Sequence, residues 1–396
     1  MTPSVSRFEI IAYIVTVVTA VALLFIGYFV AGYRGMDEGG GSPVFRARVT
    51  ALVSEVVHET HTAYIFEAEI SRGERRGEVA RFSQNTHATF LERHVRPAQV
   101  GDRIMLRETA AGGWNFTDYV RIHQIVILGG VFVVMLLAFG RSKGFNALLA
   151  LGLTAGAIFL VFIPSIMAGR NIYFWAVLVC VYTIFVTLFI INGISRKSAA
   201  AIAGCIGGVV AAGLLTVFMN ASMMLSGITQ SESNLLLQVF DTPVDLNAII
   251  FAGILIGAVG AIMDMAVSIS SALWEIKEQQ EDIFIYDLYL SGVKIGKDII
   301  GSNINTLILA YIGSSLTIIL IWLGFDASLF HTLNRELIIV ELLKAIVGSF
   351  GIFLTMPLTA LVCAFLYTQV STPKPPKEKK EQKTEASDTP MFYDIQ

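Results

Sequence analysis

"GAIMDMAVSISSALWE", residues Gly260 to Glu275, places one carboxylate, Asp264, among apolar and small side chains. Followed back to Gly253, the stretch carries Gly253, Gly257, Gly260, Asp264, Ser268, Ser271 and Glu275 at intervals of three or four residues. That spacing keeps all of them on one side of an α-helix. The other sides are Ile, Leu, Val and Met. A helix needs about 20 mainly apolar residues to cross the hydrocarbon core of a bilayer. The stretch predicts such a span, with one hydrophilic side and small residues that let another backbone come close.

The rest of the chain has the same character. Of its 396 residues 55% are hydrophobic and only 15% charged, with a mean hydropathy of +0.68. A soluble domain would carry about 25% charged residues. The net charge of −3 implies no basic surface for nucleic acid. Cys180, Cys205 and Cys363 lie far apart in apolar runs. They read as small core residues, not as a disulfide framework or a metal site.

Eight segments are long and apolar enough to span: Phe8–Ala31, Ile122–Gly140, Phe145–Ala168, Ile172–Asn192, Ser198–Leu225, Leu246–Leu273, Asn303–Phe325 and Leu337–Tyr367. The first is too long for a signal-peptide core and reads as a retained anchor. Loops on one side hold Arg141, Lys143, Arg196, Lys197, Lys277, Lys294 and Lys297, whereas the other side has only Arg34, Arg170 and Arg335. Basic loops stay in the cytoplasm, which puts both termini inside a bacterial cell membrane. The division expected is an anchor and linker at 1–42, a soluble domain at 43–121, a seven-helix bundle at 122–370 and a disordered cytoplasmic tail at 371–396. Within the bundle, Phe284, Leu288, Ile295 and Ile299 share a face opposite charged residues. That pattern predicts a separate amphipathic helix near 276–300, lying in the cytoplasmic interface.

The soluble part changes period. Phe45, Ala47, Val49, Ala51 and Val53 alternate with more polar neighbours, as do Tyr64, Phe66, Ala68 and Ile70. "VGDRIML" and "GGWNF" each place a turn before a short strand. Five or six strands in so short a stretch predict a small extracytoplasmic all-β domain, an OB-like barrel. It carries eleven arginines and no lysine, a preference for which the sequence alone offers no physical reason. His58 and His61 in "HETH" fall short of a metal site's ligand count. No nucleophile elbow, P-loop or dinucleotide fingerprint occurs. The expectation is a protein without enzymatic activity, cofactor or bound metal.

Three further spans have small or polar stripes. One has Ser302, Thr306, Ala310, Gly313 and Thr317, with Asn303 and Asn305 beside its start; another has Lys344, Gly348, Gly351, Thr355 and Thr359; a third has Gly204, Gly208 and Ala212. Gly253, Gly257, Gly260, Gly348 and Gly351 are the expected helix-packing positions. Together the stripes predict that spans five to eight form a bundle with a polar interior. An ionised carboxylate near mid-membrane costs at least about 3 kcal/mol. Asp264 is therefore read as a proton-relay group, with Ser268, Ser271, Asn305 and Thr306 lining or orienting the path. The plainer reading is an acid satisfied by one interhelical hydrogen bond, with Ser268 or Asn305 as partner. Glu341 and Lys344, three apart, read as an ion pair. "NLLLQVF", Asn234–Phe240, reads as an outer lid.

"GAVGAIMDMAVSISSAL" (Gly257–Leu273), "GKDIIGSNINTLILAYIG" (Gly296–Gly313) and "VGSFGIFLTMPLTAL" (Val347–Leu361) resemble the YibE/F family of bacterial polytopic membrane proteins. The resemblance implies a multi-pass protein often described as a permease, and supplies no substrate. Where the family's glycine stretch is expected to hold a second acid, this chain has Ala258 and Ala261, so Asp264 stands alone. A looser likeness, in topology only, is to the membrane domains of SecD and SecF. Two functions follow as expectations. One is a transporter, proton-coupled through Asp264, acting on an unknown solute and working alone or as a homo-oligomer. The alternative is a non-catalytic envelope assembly, export or sensing protein whose β domain binds an envelope partner.

Overall fold

The structure, a computed structural model, describes residues 7–31, 43–57, 61–73, 75–87, 96–109, 112–228, 244–280, 282–324 and 328–369. His58, the stretch "NLLLQVF" and the tail 371–396 lie outside these residues. The described chain divides into two compact units, one spanning Phe25–Ala155 and the other built from Met1–Leu24 with Gly156–Gln396.

In the first unit five strands, β1 (Val44–Val57), β2 (His61–Ile70), β3 (Val79–His87), β4 (Arg103–Glu108) and β5 (Trp114–Tyr119), close into a barrel in the order β1-β2-β3-β5-β4. Strand number and closure agree with the barrel expected from the alternation. Ala47 and Val49 point inward and are buried, while Arg46, Arg48 and Thr50 between and beside them are exposed. The ring closes between β3 and β5 through the pairs Phe82–Trp114 and Ser83–Asn115. Phe66 and Phe82 stack in the interior with ring centroids 5.5 Å apart, packed among Ile70, Ile104 and Leu106. Burial of each such side chain contributes roughly 1.5–3 kcal/mol. Gly101 holds φ +98° in the predicted Gly-Asp turn, a conformation only glycine adopts without steric cost.

Helices account for the remainder: α1 (Arg7–Ala31), α2 (Ile122–Gly156), a π-helical turn (Ala157–Phe162), α3 (Ile163–Met167), α4 (Ile172–Asn192), α5 (Arg196–Ser222), α6 (Leu246–Gln279), α7 (Ile285–Gly324), α8 (Leu329–Leu333) and α9 (Glu336–Thr368). Several of their starts are set by side-chain caps. Asn171 accepts from the Phe174 amide at the head of α4, Ser195 from Ser198 at α5 and Asp245 from Ala248 at α6, as oxygen-bearing caps do.

Among the described residues, seven helical stretches are long and apolar enough to cross a membrane, against the eight expected. The difference lies at Ile122–Met167, one run of 46 residues. At 1.5 Å per residue an unbroken helix of that length would reach about 69 Å, more than twice a hydrocarbon core. It is not unbroken: Arg141 takes φ 47° and ψ −127°, where two helices meet at a kink. The expected loop between the second and third spans is thus reduced to a break in the backbone. The separate amphipathic helix near 276–300 is also corrected. α6 runs on to Gln279, and the amphipathic stretch from Ile285 continues into the next span as one helix of 40 residues. No proline stands near the expected boundary to end that helix.

In the second unit α9 packs against α5, α6 and α7. One apolar core joins them to α4, including Cys180, Cys205 and Cys363, all free and buried. At one end Glu336 fastens the chain leaving α5. Its Oε2 accepts from Ser226 Oγ at 2.7 Å and its Oε1 from the Gly227 amide at 2.6 Å.

Candidate functional site

α6 turns its apolar side inward. Ile254, Leu255, Ala258, Ile262, Met265, Ala266, Ile269 and Leu273 are each at most 1% exposed. Geometry then forces the opposite stripe outward, and Gly253, Gly257, Gly260, Asp264, Ser268, Ser271 and Glu275 are all exposed on the single chain. This corrects the expected polar interior. The carboxylate makes no hydrogen bond or ion pair with a described residue, so neither Ser268 nor Asn305 satisfies it.

α7 shows the same inversion. Its inward face is Leu288, Gly292, Gly296, Leu307, Tyr311 and Ser315. Ser302, Asn305, Thr306, Ala310, Gly313 and Thr317 lie on the exposed side, with Asn303 half-buried. Thr306 spends its hydroxyl on the Ser302 carbonyl of its own helix, at 2.9 Å. The two helices run antiparallel. Gly292 lies against Leu273, Gly296 against Ile269, and Gly257 against the Tyr311 hydroxyl. Interpolating between those contacts sets Asp264 level with the stretch from Gly301 to Asn305. The two polar rows therefore overlap in depth around Asp264, whereas Ser271, midway between Ile269 and Leu273, falls level with Lys294.

The stripes of α5 and α9 lie against each other. Gly204, Gly208 and Ala212 of α5 are buried against Gly351, Thr355 and Thr359 of α9. A Cβ on Gly204 would overlap Thr359 Oγ1, and one on Gly208 would overlap Thr355 Oγ1 and sit 2.9 Å from the Gly351 carbonyl. Among the expected packing glycines, Gly348 and Gly351 have close neighbours and Gly257 meets Tyr311, whereas Gly253 and Gly260 have nothing within 4 Å. The polar groups enclosed by the bundle are mostly hydroxyls. Thr355 donates to the Gly351 carbonyl at 2.7 Å, and Tyr367 to that of Ser270 at 3.1 Å.

Glu341 and Lys344 are paired, at 2.5 Å between Oε1 and Nζ. Glu341 also lines a cavity of about 250 Å³ between α7 and α9, otherwise bounded by aliphatic side chains, Tyr311 and Ser315. Tyr311 is not legible in the sequence as a site residue, because an aromatic in an apolar run carries no spacing signal. Its buried hydroxyl finds no hydrogen-bond partner among the described residues. Among those residues, no three His, Cys, Asp or Glu side chains converge as metal ligands.

The family pattern described as YibE/F-like protein matches residues 128–369, more than half of the chain. The chain belongs to the YibE/F-like family. No curated protein and no solved structure matches it. The YibE/F-like match begins within α2 and runs through α9, so it takes in Asp264, Ser268, Ser271, Asn305, Thr306, Glu341 and Lys344. The barrel stands outside it. The YibE/F-like match therefore rests on the helical part of the chain.

Proposed function

We propose that this YibE/F-like protein is a multi-pass permease of the bacterial cell membrane, without enzymatic chemistry, in which Asp264 carries protons during transport of a solute. The supporting observation is the aligned polar row on α6 and α7. By the glycine contacts between these helices, Asp264 on α6 sits level with Ser302 and within about a turn of Asn305 and Thr306 on α7, and Ser268 and Ser271 follow one and two turns further along α6. A carboxylate facing acyl chains is costly, so the row needs a hydrophilic lining. A second copy of the chain supplies it in this reading, approaching closely over Gly253, Gly257 and Gly260 and enclosing a polar path between the two protomers. Ser268, Ser271, Asn305 and Thr306 then line that path. In this reading Ile122–Met167 crosses twice about the break at Arg141, with both termini cytoplasmic and the barrel outside.

The test is flux into liposomes under an imposed pH gradient, read with an internal pH dye. Asp264→Asn is expected to abolish the gradient-driven component, and undiminished flux would remove the carboxylate from the mechanism. Gly260→Cys is expected to form a disulfide-linked dimer in the membrane, since the native cysteines are buried. If it stays monomeric under oxidant, the path is not closed by a second copy. The alternative of an envelope assembly or export protein gains if deletion of 43–121 ends function while Asp264→Asn leaves it intact.

A further inference from the structure

The barrel's arginines are not spread evenly. On β1, Arg46 and Arg48 point outward on either side of buried Ala47. The β1–β4 pairing sets Arg48 directly across from Arg103, and the β1–β2 pairing sets it across from Glu69. Two grooves of about 740 and 430 Å³ meet at this rung and share Arg48, Arg103 and Val120. The smaller adds Arg46, Arg72 and Arg76; the larger adds Arg96 and Arg121. Seven arginines thus face only two lining acids, Glu69 and Asp102.

Two of the seven are already engaged. Arg96 reaches Asp102 at 3.3 Å, and Arg121 reaches Asp118 at 2.8 Å. Arg46, Arg48, Arg72, Arg76 and Arg103 form no ion pair among the described residues. Like charges set opposite each other on neighbouring strands are destabilising. A folded domain that keeps such a pair with only Glu69 across from it, and no ion pair closed on either guanidinium among the described residues, is arranged for an anion from outside. The absence of lysine from 43–121 points the same way, because the planar guanidinium grips phosphate with two parallel hydrogen bonds and an ammonium cannot.

Position identifies the anion's source. Val120, in both grooves, lies two residues before Ile122, where α2 begins, and the larger groove continues onto His123 and Gln124. Immediately beyond, Ile125, Val126, Ile127 and Leu128 are 63–66% exposed, an apolar surface suited to acyl chains. The groove therefore opens at the depth of lipid headgroups. At its lip the buried His123 Nδ1 has no hydrogen-bond partner among the described residues. We propose that this groove binds the phosphate headgroup of an anionic phospholipid, with Arg48 and Arg103 gripping it from adjacent strands.

Native mass spectrometry of the full chain, in detergent micelles doped with phosphatidylglycerol or phosphatidylcholine, tests this. Wild type is expected to retain phosphatidylglycerol in preference to phosphatidylcholine. Arg48→Gln/Arg103→Gln is expected to lower that retention about tenfold or more, since each arginine near an anionic surface contributes measurably. Arg81→Gln/Arg107→Gln removes the same charge from elsewhere on the barrel and should leave retention unchanged. An equal loss in both doubles would mean diffuse attraction and overturn the site. Displacement of the lipid by millimolar inorganic phosphate would overturn the lipid assignment in favour of a soluble anion. Equal retention of the two lipids by wild type would overturn the proposal outright.

Discussion

Gln84 shows what a single side chain does here. It is 5% exposed inside the barrel, and its Oε1 accepts from the Ala98 amide at 2.9 Å. Replacing it with leucine leaves that buried N–H unpaired, which costs about 1–3 kcal/mol. The thermal midpoint of barrel unfolding should fall for Gln84→Leu, and an unchanged midpoint would show that water serves equally well. Nothing in the sequence marks this residue, because its partner lies 14 positions away across a connecting segment. Glu341 and Lys344 were legible for the opposite reason: three residues apart on a helix, their meeting is fixed by local geometry. Asp264 falls between. Its helix and its side of that helix follow from spacing alone, but whether a neighbour covers that side is a property of the packing.

The same limit governs whole helices. Four stripes of small and polar residues were readable, and periodicity could not say which of them meet. α5 and α9 turn theirs toward each other, glycine against threonine, while α6 and α7 turn theirs away, α6 burying Ile, Leu and Met and α7 burying leucines with Gly292 and Gly296. Small residues and large apolar ones both make good interhelical surfaces, so the choice is settled by fit among several helices at once. Gly208→Ala probes the α5–α9 seam. Its methyl group would press on the Gly351 carbonyl and on Thr355, and overpacking of this kind costs about 1–3 kcal/mol. A lower melting temperature in detergent is expected, whereas Gly253→Ala, with nothing within 4 Å, should melt as wild type in the monomer. Continuity along a helix is similarly hard to read. The polar-to-apolar change near Ile300 resembles a boundary between two elements, yet a helix needs only backbone hydrogen bonds to carry on through it.

For the molecule as a whole, the formal charge of −3 concealed more than it disclosed. The barrel gathers unpaired arginines along one rung and keeps most of its acids elsewhere, so a modest net charge hides a strongly basic face. Fold class was the most legible property, since hydropathy and the change from period 3.6 to period 2 are visible residue by residue. The number of separate long helices was less so, because a break as short as the one at Arg141 leaves little trace in composition. The barrel has its own closed sheet and its own core, and the family match excludes it. A fragment covering 43–121 is therefore expected to unfold cooperatively by itself; a broad, non-cooperative melt would show that it depends on the helices.

Glu336 ties together two points 110 residues apart, and everything between them, α6 and α7 included, is a loop with its ends clasped. The entropy of closing a loop rises only slowly with its length. The clasp consequently restrains this long excursion almost as well as it would a short one.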